Sequence, residues 1–228
     1  MKEKLKKILD IIMIILFIIL MGYYTTDNIV HEILGITIFV LFIIHNILNI
    51  RWYKGIFKGK HNFQRTFHII INLLLFIAMF EMMISAIMIS YDVFNFLNIP
   101  ANAFGERLHR LSTSWGFVLM SIHAGLHITG FMNKLNKKMQ NNTFEYVYYF
   151  ILVILIAFGI YSFIDARLWE DLFLVNHFKL FDYNQSPIIF YLKYSSIVIS
   201  ISLIIYIIFS VIINKLKNRK EKNTCKKI

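Results

Sequence analysis

The sequence predicts an all-α, polytopic membrane helix bundle of six transmembrane helices with both termini in the cytoplasm. Composition is the first reason. Of 228 residues 58% are hydrophobic, the mean hydropathy is +0.63 and only two are proline, where a soluble domain holds about 45–50% apolar residues. The second reason is a set of long, nearly uncharged runs at residues 8–24, 29–50, 67–90, 111–131, 146–164 and 188–213. About twenty apolar residues cross the hydrocarbon core as a helix, so each run reads as one span. The third reason is where the charge falls. Nineteen of 24 basic residues lie before the first run, in the second and fourth loops, and in the tail. The positive-inside rule puts those segments in the cytoplasm.

Taken in order, the first run follows Lys2, Lys4, Lys6 and Lys7. It is long for a secretory signal, and no small-residue cleavage site precedes Asp27, so it reads as a retained helix. The second run opens after Asp27 and closes at Arg51-Trp52-Tyr53-Lys54. The third carries Glu81, the one intramembrane carboxylate that stands out; a proton acceptor and a neutral, bonded carboxyl fit it equally. The fourth is the least apolar, because Arg107, His109 and Arg110 crowd its start. The fifth and sixth carry no assignable motif. Between them, residues 166–187 mix Trp169, Phe173, Leu174, Phe178, Leu180 and Phe181 with Glu170, Asp171 and Asp182. That mixture suits an interfacial amphipathic segment or a docking surface for an extracytoplasmic partner. The chain reads as one domain, 1–228, with a core at about 29–131 that carries the candidate ligands and a basic cytoplasmic tail at 214–228.

Formal net charge is +11, but its distribution is topological, so no nucleic-acid role is read from it. The single cysteine, Cys225, forms no internal disulfide, and no C-x-x-C-H is present for covalent haem attachment. His31-Glu32 is followed by Gly35 where a zinc protease needs its second histidine, and neither a P-loop nor G-x-G-x-x-G occurs. The spans lack the paired mid-membrane Gly/Pro breaks of a transporter.

Four histidines carry the functional reading. His31 and His45 lie fourteen residues apart on the second run, and His109 and His123 fourteen apart on the fourth. In a helix that interval is about 21 Å of rise and returns the side chain to within roughly 40° of the same face. With the amino terminus inside, both runs cross from outside to inside. His31 and His109 then share an outer level, and His45 and His123 an inner one. Membrane histidines are rare and usually functional, and neutral imidazole is an axial ligand for haem iron. Two stacked His/His pairs are the ligand set for two haems. Gly35, Gly116 and Gly130 fall near the histidine faces, where a missing β-carbon admits a flat macrocycle; close helix packing also uses such residues. His127, one turn beyond His123, is an alternative inner ligand, a propionate partner, or part of a proton or quinone site. His61, His68 and His177 read as surface or interfacial.

The stretch His31-Glu32-Ile33-Leu34-Gly35, with Ile44-His45-Asn46-Ile47-Leu48-Asn49 and His123-Ala124-Gly125-Leu126-His127, resembles the flavinylation-associated cytochrome family. The resemblance covers residues 8–131 most clearly; a tryptophan familiar after Gly-Leu-His is Ile128 here. It implies b-type haem held by His31, His45, His109 and His123, and an extracytoplasmic flavoprotein as partner.

The expectation is therefore an electron-transfer component of a bacterial cytoplasmic membrane, not a self-contained enzyme. Propionates would meet Arg107 or Arg110 outside and Arg51 inside. The donor side admits the quinone pool. Two other classes stay open: a haem-bearing, quinone-linked anchor subunit of a reductase complex, and a non-redox channel, transporter or assembly protein.

Overall fold

The computed structural model describes residues 2–59, 62–100, 102–139, 145–176 and 185–225, and the side chains among them except those of residues 2, 137–139 and 212–225. Among the described residues the chain is all-helical. Its α-helices are α1 (Lys2–Met21), α2 (Asn28–Leu48), α3 (Ile50–Gly55), α4 (Phe63–Ile89), α5 (Ala103–His127), α6 (Thr129–Met139), α7 (Glu145–Asp165), α8 (Leu168–Leu172) and α9 (Pro187–Cys225).

Helix starts follow local chemistry. Asn62 caps α4 by accepting from the Arg65 backbone N–H at 2.8 Å, and Asn102 caps α5 by accepting from that of Gly105 at 2.8 Å. Pro187 opens α9, where its missing N–H costs nothing. At Ile128 the chain bends by 48° between α5 and α6, so the fourth apolar run is a broken helix.

Four of the expected spans are long and apolar enough to cross a membrane: α2, α4, α7 and residues 187–211 of α9. The bent pair of α5 and α6 passes the same test jointly, which makes five. The expected first span does not pass. Even the least charged eighteen-residue stretch of α1, residues 4–21, keeps Lys4, Lys6, Lys7 and Asp10. The architecture is a polytopic membrane bundle with four or five candidate spans among the described residues.

The least apolar of the long helices sits at the centre. Ten residues of α5 are buried, against two in α2 and three in α7, because α5 packs on α4, α9, α8 and α1 rather than facing lipid. Small residues let the helices close. A β-carbon on Gly125 would lie 2.8 Å from the Ser202 carbonyl of α9, and one on Gly159 would lie 2.5 Å from that of Ser196. Hydroxyls then bond across these seams: Ser202 donates to the Ser121 carbonyl at 2.9 Å, and Ser200 to that of Ile156 at 3.0 Å. Phe17, Ile38, Phe42, Met79 and Phe117 form an apolar plug among α1, α2, α4 and α5.

Candidate functional site

The two histidine pairs meet. His31 and His109 lie with ring centroids 6.4 Å apart and planes at 72°. His45 and His123 repeat that arrangement at 6.4 Å and 75°. Pairing of His31 with His109 and of His45 with His123 requires α2 and α5 to run parallel, as the expected topology has them. An imidazole nitrogen binds a metal at about 2 Å, and adding the ring's own half-width puts two trans imidazole centroids about 6 Å apart. Both pairs are set at that separation.

Neighbouring helices hold the rings through Nδ1. The Asp10 carboxylate on α1 lies 2.8 Å from His45 Nδ1, and the Asn72 amide oxygen on α4 lies 2.8 Å from His123 Nδ1. Ser85 Oγ on α4 is 3.2 Å from His109 Nδ1. His31 Nδ1 is buried with no hydrogen-bond partner, and the Tyr23 ring sits edge-on to it at 5.0 Å. Engagement of Nδ1 leaves Nε2 as the nitrogen that could coordinate, and ligating histidines are oriented in this way by a second layer of residues. On His45 the Asn49 amide lies 3.4 Å from Nε2. Asp10, Asn72 and Ser85 were not singled out by the sequence, which had pointed to Glu81 instead; Glu81 is exposed on the flank of α4.

A cavity of about 450 Å³ opens at the His31/His109 level, within the size range of small-molecule and cofactor clefts. Both histidines line it, with Gly35, Arg107 and Arg110 among the predicted site residues. A β-carbon on Gly35 would meet nothing within 4 Å, so that position faces open space. Glu32 closes the rim. Its carboxylate accepts from the backbone N–H groups of Tyr91 at 2.9 Å and Val93 at 2.7 Å, from Ser90 Oγ at 2.6 Å and from Asn28 Nδ2 at 2.9 Å. One carboxylate thus ties the α4–α5 loop to the start of α2. Arg110 is shared: its guanidinium lies 3.7 Å from Asp171 and donates to the Asn176 carbonyl.

That contact corrects the expected docking acids. The Asp171 side chain is 8% exposed beneath Arg110, because the Trp115 indole fastens α8 onto α5 by donating to the Leu172 carbonyl at 3.0 Å. Glu170 turns inward to accept from Asn176 at 2.6 Å. Asp182, Phe178, Leu180, Phe181 and His177 lie outside the described residues, as does His61, and the side chains of the 214–228 tail are likewise undescribed.

At the other level, His127 is 4.6 Å from His123, ring centroid to ring centroid, and 6.1 Å from His68 of α4 at 84°. His68 was expected at the surface or the membrane interface. Antiparallel α4 instead returns it beside the end of α5, and it also lines a cavity of about 420 Å³ with Arg51, Trp52 and Gln64. Gly116 is not open to a macrocycle: its β-carbon would lie 3.2 Å from the Phe17 ring. Gly130 faces open space. Among the described residues no three His, Cys, Asp or Glu side chains gather to hold a metal ion. No family model, curated protein or solved structure matches the chain.

Proposed function

We propose that this protein is a b-type dihaem membrane cytochrome, akin to the flavinylation-associated cytochromes, that carries single electrons across a bacterial cytoplasmic membrane. The observation that carries the reading is the two histidine pairs on parallel helices, both at the separation that a shared axial iron requires. The orienting contacts on three of the four Nδ1 atoms and the cavity walled by one pair support it. The outer pair, beside its cavity, therefore fits haem, and the inner pair matches it in ring separation. When bound, haem supplies an iron that takes up and gives back one electron at a potential the protein tunes.

The chain's own residues do the rest. His31 and His109 hold one centre between α2 and α5, and His45 and His123 hold the other about 21 Å further along. Phe17, Phe117, Ile38, Phe42 and Met79 keep water from the space between the levels. Arg107 on the cavity wall offers a cation to a propionate. By the positive-inside rule, the His45/His123 level faces the cytoplasm and His31/His109 the outside. In this orientation α1 is the sixth span, with its lysines snorkelling to the inner interface. The chain has no nucleotide motif, so electrons reach and leave it through partners: the quinone pool inside and an extracytoplasmic flavoprotein outside.

Purified protein should show a low-spin b-type absorption spectrum, and a pyridine haemochrome assay should give two haems per chain. Well-folded protein without haem would end the reading. A second reading, a quinone-linked anchor subunit of a reductase complex, is favoured by the cavity beside His68, Arg51 and Trp52. A quinone extracted with the purified protein, together with an associated catalytic subunit, would select it.

A further inference from the structure

We propose that Asp10 holds the inner centre at a lower reduction potential than the outer one, so that electrons run from the cytoplasmic level to the outer level. The inference rests on the dihaem reading and assigns it a direction.

The four imidazoles match in spacing but differ in what receives their Nδ1–H. At the inner level both acceptors are strong: a carboxylate on His45 and an amide oxygen on His123, each at 2.8 Å. At the outer level one acceptor is the Ser85 hydroxyl, at 3.2 Å from His109, while His31 Nδ1 has none. A hydrogen bond to an ionised acceptor is roughly twice as strong as a neutral one. It draws the proton from Nδ1 and makes the coordinating nitrogen more basic. A more basic axial ligand, with a negative charge beside it, favours ferric over ferrous iron and lowers the potential. Both act on the inner centre; at the outer one Glu32 places a negative charge near His31, but its hydrogen bonds go to Asn28, Ser90 and the backbone N–H groups of Tyr91 and Val93.

The charges that line the two cavities do not reverse this order. The outer cavity wall holds Arg107 and Arg110 but also Glu32 and Glu106, equal in number and opposite in sign. Arg51 and Arg65 line a cavity whose wall includes neither His45 nor His123. Asp10, half-exposed on α1, is held in contact with a histidine of α2. In the transfer, one electron lost at the inner level is gained at the outer level. A quinol-class donor replaces it inside, and an oxidised flavin-class acceptor removes it outside.

The test is spectroelectrochemical potentiometry of the full, haem-loaded chain in lipid nanodiscs. Wild type should show two waves, and His31→Ala, which keeps only the inner centre, should retain the lower one. Asp10→Asn, which keeps the shape and removes the charge, should move the lower wave upward and leave the upper wave in place. Asp10→Glu should return it toward wild type. Asn72→Leu provides a second route, since it removes the other inner acceptor and should move the same wave the same way. A helix-fastening role for Asp10 would leave the potential of Asp10→Asn unchanged. Two haems with unmoved waves, or a lower wave that disappears in His31→Ala, would overturn the inference while sparing the dihaem reading. Absence of haem from wild type would remove the reading itself.

Discussion

His123 and His127 stand one turn apart on α5, and removing each in turn separates a ligand from a neighbour. The His45 and His123 ring centres lie 6.4 Å apart, so these two residues would hold a haem iron between them. In His123→Ala the nearest replacement on α5 is His127, whose ring centre lies 4.6 Å from the vacated one. A metal–imidazole bond is about 2 Å long, so His127 would have to cross more than twice that length. Its α-carbon is also about 6 Å further along the helix, and its ring faces His68 at 6.1 Å. Substitution should therefore fail. We expect His123→Ala to carry one haem per chain instead of two, and His127→Ala to keep both. The assay is pyridine haemochrome absorbance per chain on detergent-purified protein, with size-exclusion profiles to show that each variant is folded. Two haems in His123→Ala with one in His127→Ala would refute the ligand assignment and the distance argument with it.

Two further expectations test the frame that positions the pairs. Glu32→Ala unties the loop at residues 90–93 from α2 and should lower stability by about 1–2 kcal/mol, read as a lower thermal midpoint and as faster hydrogen exchange at the Tyr91 and Val93 amides. Gly125→Val should cost about 1–3 kcal/mol or more, since its β-carbon meets α9 backbone that cannot yield. Gly35→Ala, which faces open space, should leave the thermal midpoint of haem-free protein unchanged or raise it.

The histidine pairing was legible because a fourteen-residue interval on a helix fixes both depth and face within one segment. What touches each ring was not legible, because it depends on how separate helices rotate against one another. Asp10 reads in sequence as a charge just after a basic segment, and only the packing of α1 on α2 brings it to His45. A carboxylate three residues into an apolar run was nonetheless a usable signal. His68 reads as a residue at a span's edge until antiparallel α4 lays it beside His127. Gly116 shares the histidine face by periodicity, yet Phe17 of a different helix fills the space it leaves. The span count fell short for a related reason. Hydropathy sees charge along a segment, whereas α5 turns its polar residues toward protein and α1 begins within its own lysines.

Polar side chains inside apolar helices have an ordinary use: they fasten helices together where hydrophobic association cannot. Asp10, Asn72 and Ser85 would serve that purpose by bonding to any polar atom opposite. A fastening contact is indifferent to which imidazole nitrogen it takes, since either one satisfies the buried donor. All three take Nδ1, on three different histidines, from two different helices. The serine and asparagine contacts are made from one helix at opposite ends, matching the two levels of the pairs. The seams between α5, α7 and α9 use serine hydroxyls bonded to backbone carbonyls with glycine opposite them, together with a Ser196–Ser162 hydroxyl pair and a Lys193–Asp165 ion pair. The choice of the same nitrogen on three rings argues for ligands, because a ring whose only task is packing has no need of a chosen nitrogen.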